Sequence, residues 1–290
     1  MSIKHWIYAT RPKTLPAGAI PVIIGSAFAY RSEIFDAFYF IIILLCSIFI
    51  QVLVNFINEI YDFKKGADTK ERTGPQRAVA AGFISPKTMT RVSAVLMILT
   101  FALGMILVAR AGLFILAIGF SALFFAWAYT GGPYPLAYKG LGDLFVLVYF
   151  GVAAVCGTFY IFAEYISHEV LIASFAPGII SMNLLSVNNI RDIDTDRKVG
   201  KMTLQARLGR KYSVKLQFFL TILLYIIPIY LAIYSNEYFY LLPILSLPLA
   251  VKNLRHVRIY DGKNLNIVLA NTGKLLLLYG ILFSAGIIFA

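Results

Sequence analysis

Charge is what this sequence has least of. Of 290 residues only 14% are charged and 14 are acidic, where a soluble domain of this size carries about a quarter charged residues. Histidine (3), tryptophan (2) and cysteine (2) are scarcer still. His5, His168 and His256 show no metal-ligand spacing. Cys46 and Cys156 lie far apart within apolar runs, which excludes both a disulfide framework and a CxxC metal pair and leaves them as small core residues. The opening stretch MSIKHWIYATRPKTLPAG has no uninterrupted apolar core ahead of a small-residue cleavage site, so no cleavable signal peptide is expected.

What fills the sequence instead is apolar: 60% of residues are hydrophobic and the mean hydropathy is +0.79. That composition is an integral membrane protein's. Spanning helices show as apolar runs of about 17 to 25 residues. Nine windows read so: 15–31, 36–58, 89–109, 112–129, 141–163, 169–187, 213–234, 238–251 and 268–289, the eighth short and carrying Pro243 and Pro248. The expected fold is therefore all-α, with nine transmembrane helices around a central cavity and a cytoplasmic cap over it. The net charge of +12 is a topology signal rather than a nucleic-acid footprint. With the N-terminus cytoplasmic, only Arg31 and Arg110 fall outside, and the other 24 of 26 Lys and Arg residues fall inside. A multi-pass protein of the cell (inner) membrane, in contact with lipid and with no nucleic-acid partner, is expected. Trp6 and Tyr8 suit interfacial anchoring, and most of the Phe and Tyr residues suit lipid-facing or core positions.

Three inside connections are long enough to act: 59–88, 188–212 and 252–267. The first two share a pattern. NEIYDFKKGAD (58–68) and NNIRDIDTDRK (188–198) each follow a long apolar run, begin with Asn and Asp at helical spacing, and continue into Lys and Arg. Asn58 and Asn188 are 130 positions apart, as are Asp62 and Asp192. This is the signature of two related halves, about 1–140 and 141–290, within one membrane-embedded domain. Seven of the 14 acidic residues lie in the connections 59–88 and 188–212. One such helix-end carboxylate pair is usually a solvated cap; two matched copies on so acid-poor a chain point to a site.

Residues four apart share a helix face, so Asn58 and Asp62 form one set, and Asn188, Asp192 and Asp196 another. All-oxygen clusters without His or Cys favour Mg2+ or Ca2+, and Mg2+ completes its octahedron with water and substrate phosphates. Lys64, Lys65, Lys70, Arg72, Arg77, Arg191, Arg197 and Lys201 suit phosphate oxygens directly. Together these describe a diphosphate held by metal ions. Tyr129, Tyr134 and Tyr138 flank a Gly-Gly-Pro break on the same side, where Lys139 and Asp143 fit a site role or a topological one equally.

The sequence resembles the intramembrane aromatic prenyltransferases, the UbiA superfamily, over essentially its whole length. That family carries an NDxxDxxxD-type motif after its second helix and a DxxxD-type motif after its sixth, matched here by NEIYDFKKGAD and NNIRDIDTDRK. Glu59 stands where the family commonly has Asp, and Asp68 follows Asp62 by six residues rather than four. Within the superfamily, RPKTLPAG, FKKGADTKERTGPQRAVAAG, AYTGGPYPLAYKGLGDL and NNIRDIDTDRKVGKMTLQARLG are similar to the 1,4-dihydroxy-2-naphthoate polyprenyltransferases of menaquinone biosynthesis. An NRPLPSG-like run, typical of the 4-hydroxybenzoate branch, is replaced by GPQRAVAAG.

The resemblance implies a Mg2+-dependent transfer of a polyprenyl group from its diphosphate to 1,4-dihydroxy-2-naphthoate, giving demethylmenaquinol, pyrophosphate and CO2. It implies two metal ions, one on Asn58 and Asp62 and one on Asp192 and Asp196, with Lys13, Arg72, Arg77, Arg191 and Lys201 on the pyrophosphate. Asn188, Asp68, Tyr129, Tyr138 and Lys139 complete the expected substrate contacts. An allylic cation would form in an apolar tunnel whose aromatic faces stabilise it. Two other readings stay open: a different aromatic acceptor such as 4-hydroxybenzoate, and a secondary transporter. Transporters, however, hold their carboxylates near the bilayer midplane, and these lie at helix ends. A CDP-alcohol phosphotransferase would need a dense DGxxAR…DxxxD run that this sequence lacks.

Overall fold

The computed structural model describes residues 2–67, 74 and 76–290. Among the described residues the chain is helical throughout, with no strand. A short helix α1 (Ile3–Ala9) leads into α2 (Pro16–Arg31), α3 (Ala37–Lys64), α4 (Pro86–Ala111), α5 (Leu113–Ala128), α6 (Gly142–Leu147) and α7 (Ala154–Ala163). The second part comprises α8 (His168–Arg191), the short α9 (Ile193–Lys198), α10 (Leu204–Ser235), α11 (Leu247–Ile259) and α12 (Leu265–Phe289).

All nine apolar windows are helical, and six helices are long and apolar enough to cross a membrane. These are Ala37–Lys64, Pro86–Ala111, Gly142–Ala163, His168–Arg191, Leu204–Ser235 and Gly262–Phe289. The molecule is a multi-pass membrane protein. Helices α2 and α5, 16 residues each, are shorter. The eighth window is not one regular helix: Tyr238–Ser246 winds as a 3-10 segment through Pro243, and α11 begins at Leu247 with Pro248 in its first turn. Proline supplies no N–H to an α-helical ladder and is tolerated at a helix start, which is why the α-helix restarts there.

Many large apolar side chains are exposed, as at Ile98, Leu113, Phe218 and Ile233, which is what a lipid solvent asks for. Helix α8 is different. It is buried on nearly every side, against α2, α6, α7, α10 and α12. Small residues allow this closeness. The run from α6 to α7 passes through a π-helical turn at Val148–Ala153, where Gly151 meets Gly178 of α8. A Cβ on Gly178 would stand 2.8 Å from the Leu147 carbonyl oxygen and 3.1 Å from Gly151 Cα. Helix pairs in lipid gain most of their association from such backbone-level packing.

Helices α2 to α8 enclose a cavity of about 540 Å³. Along α3 its lining runs from Asp62 to Ile43, a span of about 28 Å at 1.5 Å per residue. One end is polar. The other is walled by residues such as Cys46, Leu107, Val108, Ile115 and Leu116. Beyond that apolar end Arg110 pairs with Glu164 at 2.6 Å, and Arg31 faces Glu169 at 3.8 Å.

Candidate active site

Helix α3 continues to Lys64, past the apolar window, so Asn58 and Asp62 occupy its last two turns. Helix α8 likewise ends at Arg191, one residue before Asp192. Both helix ends open on the polar mouth of the cavity. Asn58, Asp62, Arg77, Asn188, Lys201, Tyr129 and Lys13 all line it.

Asp62 is almost wholly buried. Arg77 donates to its Oδ2 at 2.8 Å and Tyr138 donates its hydroxyl to Oδ1 at 2.8 Å. Arg77 also donates to the Asn58 carbonyl oxygen at 2.8 Å, folding the chain beyond α3 back over its end. Thr130 donates to Asn58 Oδ1 at 2.9 Å. In the second motif Arg191 grips Asp192 with two donors, at 2.8 and 2.6 Å, and donates to Asn188 Oδ1 at 2.8 Å. Its remaining guanidinium nitrogen reaches Asn266 of α12 at 2.6 Å. Gly74 packs on this guanidinium so closely that a Cβ there would stand 2.6 Å from it. Gly74, downstream of the first motif, thus rests on the arginine of the second.

Lys201 joins the two motifs. Its Nζ lies 3.8 Å from Asp62 Oδ2 and 3.5 Å from Asp196 Oδ1. Burial pushes the Asp196 carboxyl up to about 6, with Lys201 pulling it down and the charges of Asp192 and Asp62 adding to the rise. Burial, together with Asp62 beside it, raises the Tyr138 hydroxyl. Burial lowers the Lys65 ammonium, with Asp62 opposing. Lys65 stands over the Tyr138 ring at 4.1 Å and donates to the Thr130 carbonyl at 2.8 Å.

Asp192, Asp196 and Tyr138 belong to this cluster without lining the cavity themselves, Tyr138 with its hydroxyl committed to Asp62. Lys139 stacks over the exposed Tyr134 ring at 5.2 Å. Asp68 and Arg72 lie outside the described residues.

A divalent ion fits the donor set on one observation in particular: among the described residues, Asp196 Oδ2 is buried and has no hydrogen-bond partner. Among the same residues no three His, Cys, Asp or Glu side chains converge. That excludes a closed all-protein metal cage of such residues there and suits a hard cation that takes one or two carboxylates and completes its shell elsewhere.

Several polar residues of the site were not expected from the sequence. Gln51 and Asn55, about two turns and one turn before Asn58 on α3, bind the N-terminal segment: Asn55 donates to the Thr10 carbonyl at 2.9 Å and Gln51 to Thr14 Oγ1 at 3.2 Å. Their spacing with Asn58, Glu59 and Asp62 as one polar stripe in an apolar helix was the available signal. Glu59, buried, accepts from the Val79 backbone N–H at 3.2 Å and fastens the returning loop. Gln205 and Asn189, equally unsignalled, form a buried chain with Asp143, for which the sequence leaves a site role and a topological one equally open.

The family model described as "UbiA prenyltransferase family" matches residues 18–287. The chain belongs to this family. Among curated relatives it is 34% identical to the 1,4-dihydroxy-2-naphthoate octaprenyltransferase of Haemophilus influenzae, over 99% of this chain and 96% of that one. It is 34% identical to the protein of the same name from Escherichia coli, over 97% and 94%. Among solved structures, a UbiA homolog from Archaeoglobus fulgidus bound to GPP and Mg2+ superposes with a TM-score of 0.68 at 15% identity, covering 99% of this chain and 100% of that one. The UbiA fold thus accounts for the whole chain.

Proposed function

We propose that this UbiA-family enzyme transfers a polyprenyl group from polyprenyl diphosphate to 1,4-dihydroxy-2-naphthoate, releasing pyrophosphate and CO2 and giving demethylmenaquinol. One observation carries the reading: Lys201 bridges Asp62 and Asp196, of two separate motifs, at the polar mouth of a long apolar cavity. A diphosphate head with a hydrocarbon tail matches that polarity end to end. The acceptor follows the names of the bacterial relatives.

Asn58 and Asp62 would hold one Mg2+, and Asp192 and Asp196 a second. When bound, the ions act as Lewis acids on the departing diphosphate and template its orientation. Arg77, Lys201 and Arg191 stand among these carboxylates and would turn toward the diphosphate oxygens, with Lys13 lining the mouth; Arg72 and Asp68, outside the described residues, would add further substrate contacts. Asn188 and Tyr138 keep Arg191 and Asp62 in register. The apolar wall excludes water from the allylic carbon, so that the acceptor ring rather than solvent captures it. Tyr129, at the boundary between polar mouth and tunnel, presents a ring face and a hydroxyl to that carbon, and Lys139 lies farther out. Nine spans with a cytoplasmic N-terminus would put the mouth in the cytoplasm, capped by 59–88 and 188–212, with related halves at about 1–140 and 141–290.

The test is a turnover assay in detergent micelles. A radiolabelled prenyl diphosphate is offered with Mg2+ and either 1,4-dihydroxy-2-naphthoate or 4-hydroxybenzoate, with an EDTA control. Mg2+-dependent product from the naphthoate alone is expected. Product from 4-hydroxybenzoate alone would transfer the same chemistry to another acceptor, and no product from either would return the transporter reading.

A further inference from the structure

Three of the acidic side chains around the mouth are matched by cations: Asp62 by Arg77 and Lys201, Asp192 by Arg191, and Asp196 by Lys201. Asp143 is not. It lines the same cavity from the first turn of α6, is 3% exposed, and among the described residues has no cationic partner. Its Oδ1 accepts instead from Gln205 Nε2 at 2.8 Å. Gln205, wholly buried, is held in turn by Asn189 Nδ2, which donates to Gln205 Oε1 at 2.9 Å. This amide chain fixes one carboxylate oxygen without neutralising its charge. A carboxylate accepts at about four lone-pair positions, so its cavity side can take a further donor. A buried charge of this kind is costly unless donors complete it.

The surroundings define that donor. Gly142 lies against the Tyr129 hydroxyl, which is within electrostatic reach of Asp143, Asp62 and Asp196 together. Asp143 therefore stands beside the diphosphate end of the cavity. Immediately below, Phe125 meets Phe145 at 4.6 Å and Tyr149 at 5.6 Å, and all three line the cavity. A carboxylate at the rim of an aromatic-walled slot suits a planar ring bearing a hydroxyl.

We propose that Asp143 is a catalytic residue that binds the acceptor's ring hydroxyl and shuttles its proton, an assignment that rests on the naphthoate reading above. As the carboxylate-bearing ring carbon bonds to the prenyl C1, the C1–O bond breaks and the diphosphate leaves with its electron pair. The hydroxyl proton passes to Asp143 and the hydroxyl oxygen becomes a ketone. The ring is then a β-keto carboxylate. Its C–CO2 bond breaks, CO2 departs, and the electron pair restores the aromatic ring as an aryloxide, which takes the proton back from Asp143. The carboxylate ends the cycle as it began. Gln205 and Asn189 are positioning residues.

Asp143→Asn keeps an acceptor for Gln205 and removes the base. General-base catalysis contributes about 10² to 10⁴ in rate, so kcat for transfer should fall at least about 100-fold. KM for prenyl diphosphate, and the slow acceptor-free hydrolysis of prenyl diphosphate, should stay at wild-type values. The readout that a merely structural role would not move is a comparison of 1,4-dihydroxy-2-naphthoate with its two mono-O-methyl ethers. Methylating the conjugated hydroxyl should penalise the wild type strongly and Asp143→Asn hardly at all. Gln205→Met, which leaves the base and loosens its aim, should lower kcat and keep the methyl penalty; it carries the test if Asp143→Asn fails to fold. A wild-type kcat in Asp143→Asn, an equal methyl penalty in both proteins, or hydrolysis falling in step with transfer would overturn the proposal. If the wild type prenylates no hydroxynaphthoate at all, the acceptor reading itself falls, and this assignment with it.

Discussion

Replacing Lys201 by Met should tighten the binding of Mg2+ and weaken that of prenyl diphosphate. Its ammonium stands 3.8 Å from Asp62 and 3.5 Å from Asp196, with side-chain exposures of 13%, 2% and 9% for the three groups. At an effective dielectric near 20, each of these attractions is worth about 4 to 5 kcal/mol. A divalent ion must compete with that ammonium for the same oxygens. If a third of one attraction survives the lysine's turning toward substrate, about 1.5 kcal/mol remains, roughly tenfold in a binding constant. Lys201→Met should therefore lower the Mg2+ concentration for half-maximal rate by about tenfold. The diphosphate loses a charge-assisted hydrogen bond worth about 1.5 to 3 kcal/mol, so kcat/KM for prenyl diphosphate should fall by roughly 10- to 100-fold. The assay is initial-rate kinetics in micelles, titrating Mg2+ at saturating prenyl diphosphate and then the reverse, with calorimetric Mg2+ binding to the free enzyme as a check. A Mg2+ requirement that rises, with prenyl diphosphate KM unchanged, would refute the placing of Lys201 between metal and diphosphate.

Asp62→Ala and Asp192→Ala should each abolish turnover while the protein stays membrane-inserted and monodisperse in detergent; near wild-type activity in either would rule out the two-motif metal site. Gly104 and Gly119 line the cavity, and a Cβ at either would meet no atom within 4 Å. Gly104→Phe and Gly119→Phe should therefore fold normally and shift the preferred donor toward shorter prenyl diphosphates, read by product chromatography. Gly178→Ala, pressed against backbone at Leu147 and Gly151, should lower stability by about 1 to 3 kcal/mol, seen as a lower midpoint in a thermal aggregation assay. Removal of divalent ions by EDTA should stop transfer, and Mg2+ should restore it without refolding.

Much of the helix pattern was legible because its causes are local. A run of apolar residues forms a helix in lipid whatever its neighbours do, since every backbone polar group must be satisfied within the segment. One exception has a local cause too, Pro243 and Pro248 turning the eighth window into a 3-10 segment followed by α11; the other does not, the π-turn at Val148–Ala153 lying where Gly151 meets α8. The two Asn/Asp motifs were legible because helical spacing alone puts Asn58 with Asp62, and Asn188 with Asp192, on one face. Their partners were not. Arg77 and Tyr138 reach Asp62 from 15 and 76 positions away, and Gln205 reaches Asp143 from 62; no periodicity connects such residues.

From sequence alone came an apolar, acid-poor chain whose carboxylates gather at two helix ends, because hydropathy and the 3.6-residue period act within a single segment. Tertiary structure alone decided that those ends share one mouth, that Lys201 stands between them, that the cavity behind them runs along about 28 Å of α3 from a polar to an apolar end, and that Asp143 faces it with no cationic partner among the described residues. Each of these depends on which helices pack against which, and that choice is made by backbone approach at residues such as Gly151 and Gly178 rather than by any pattern along the chain.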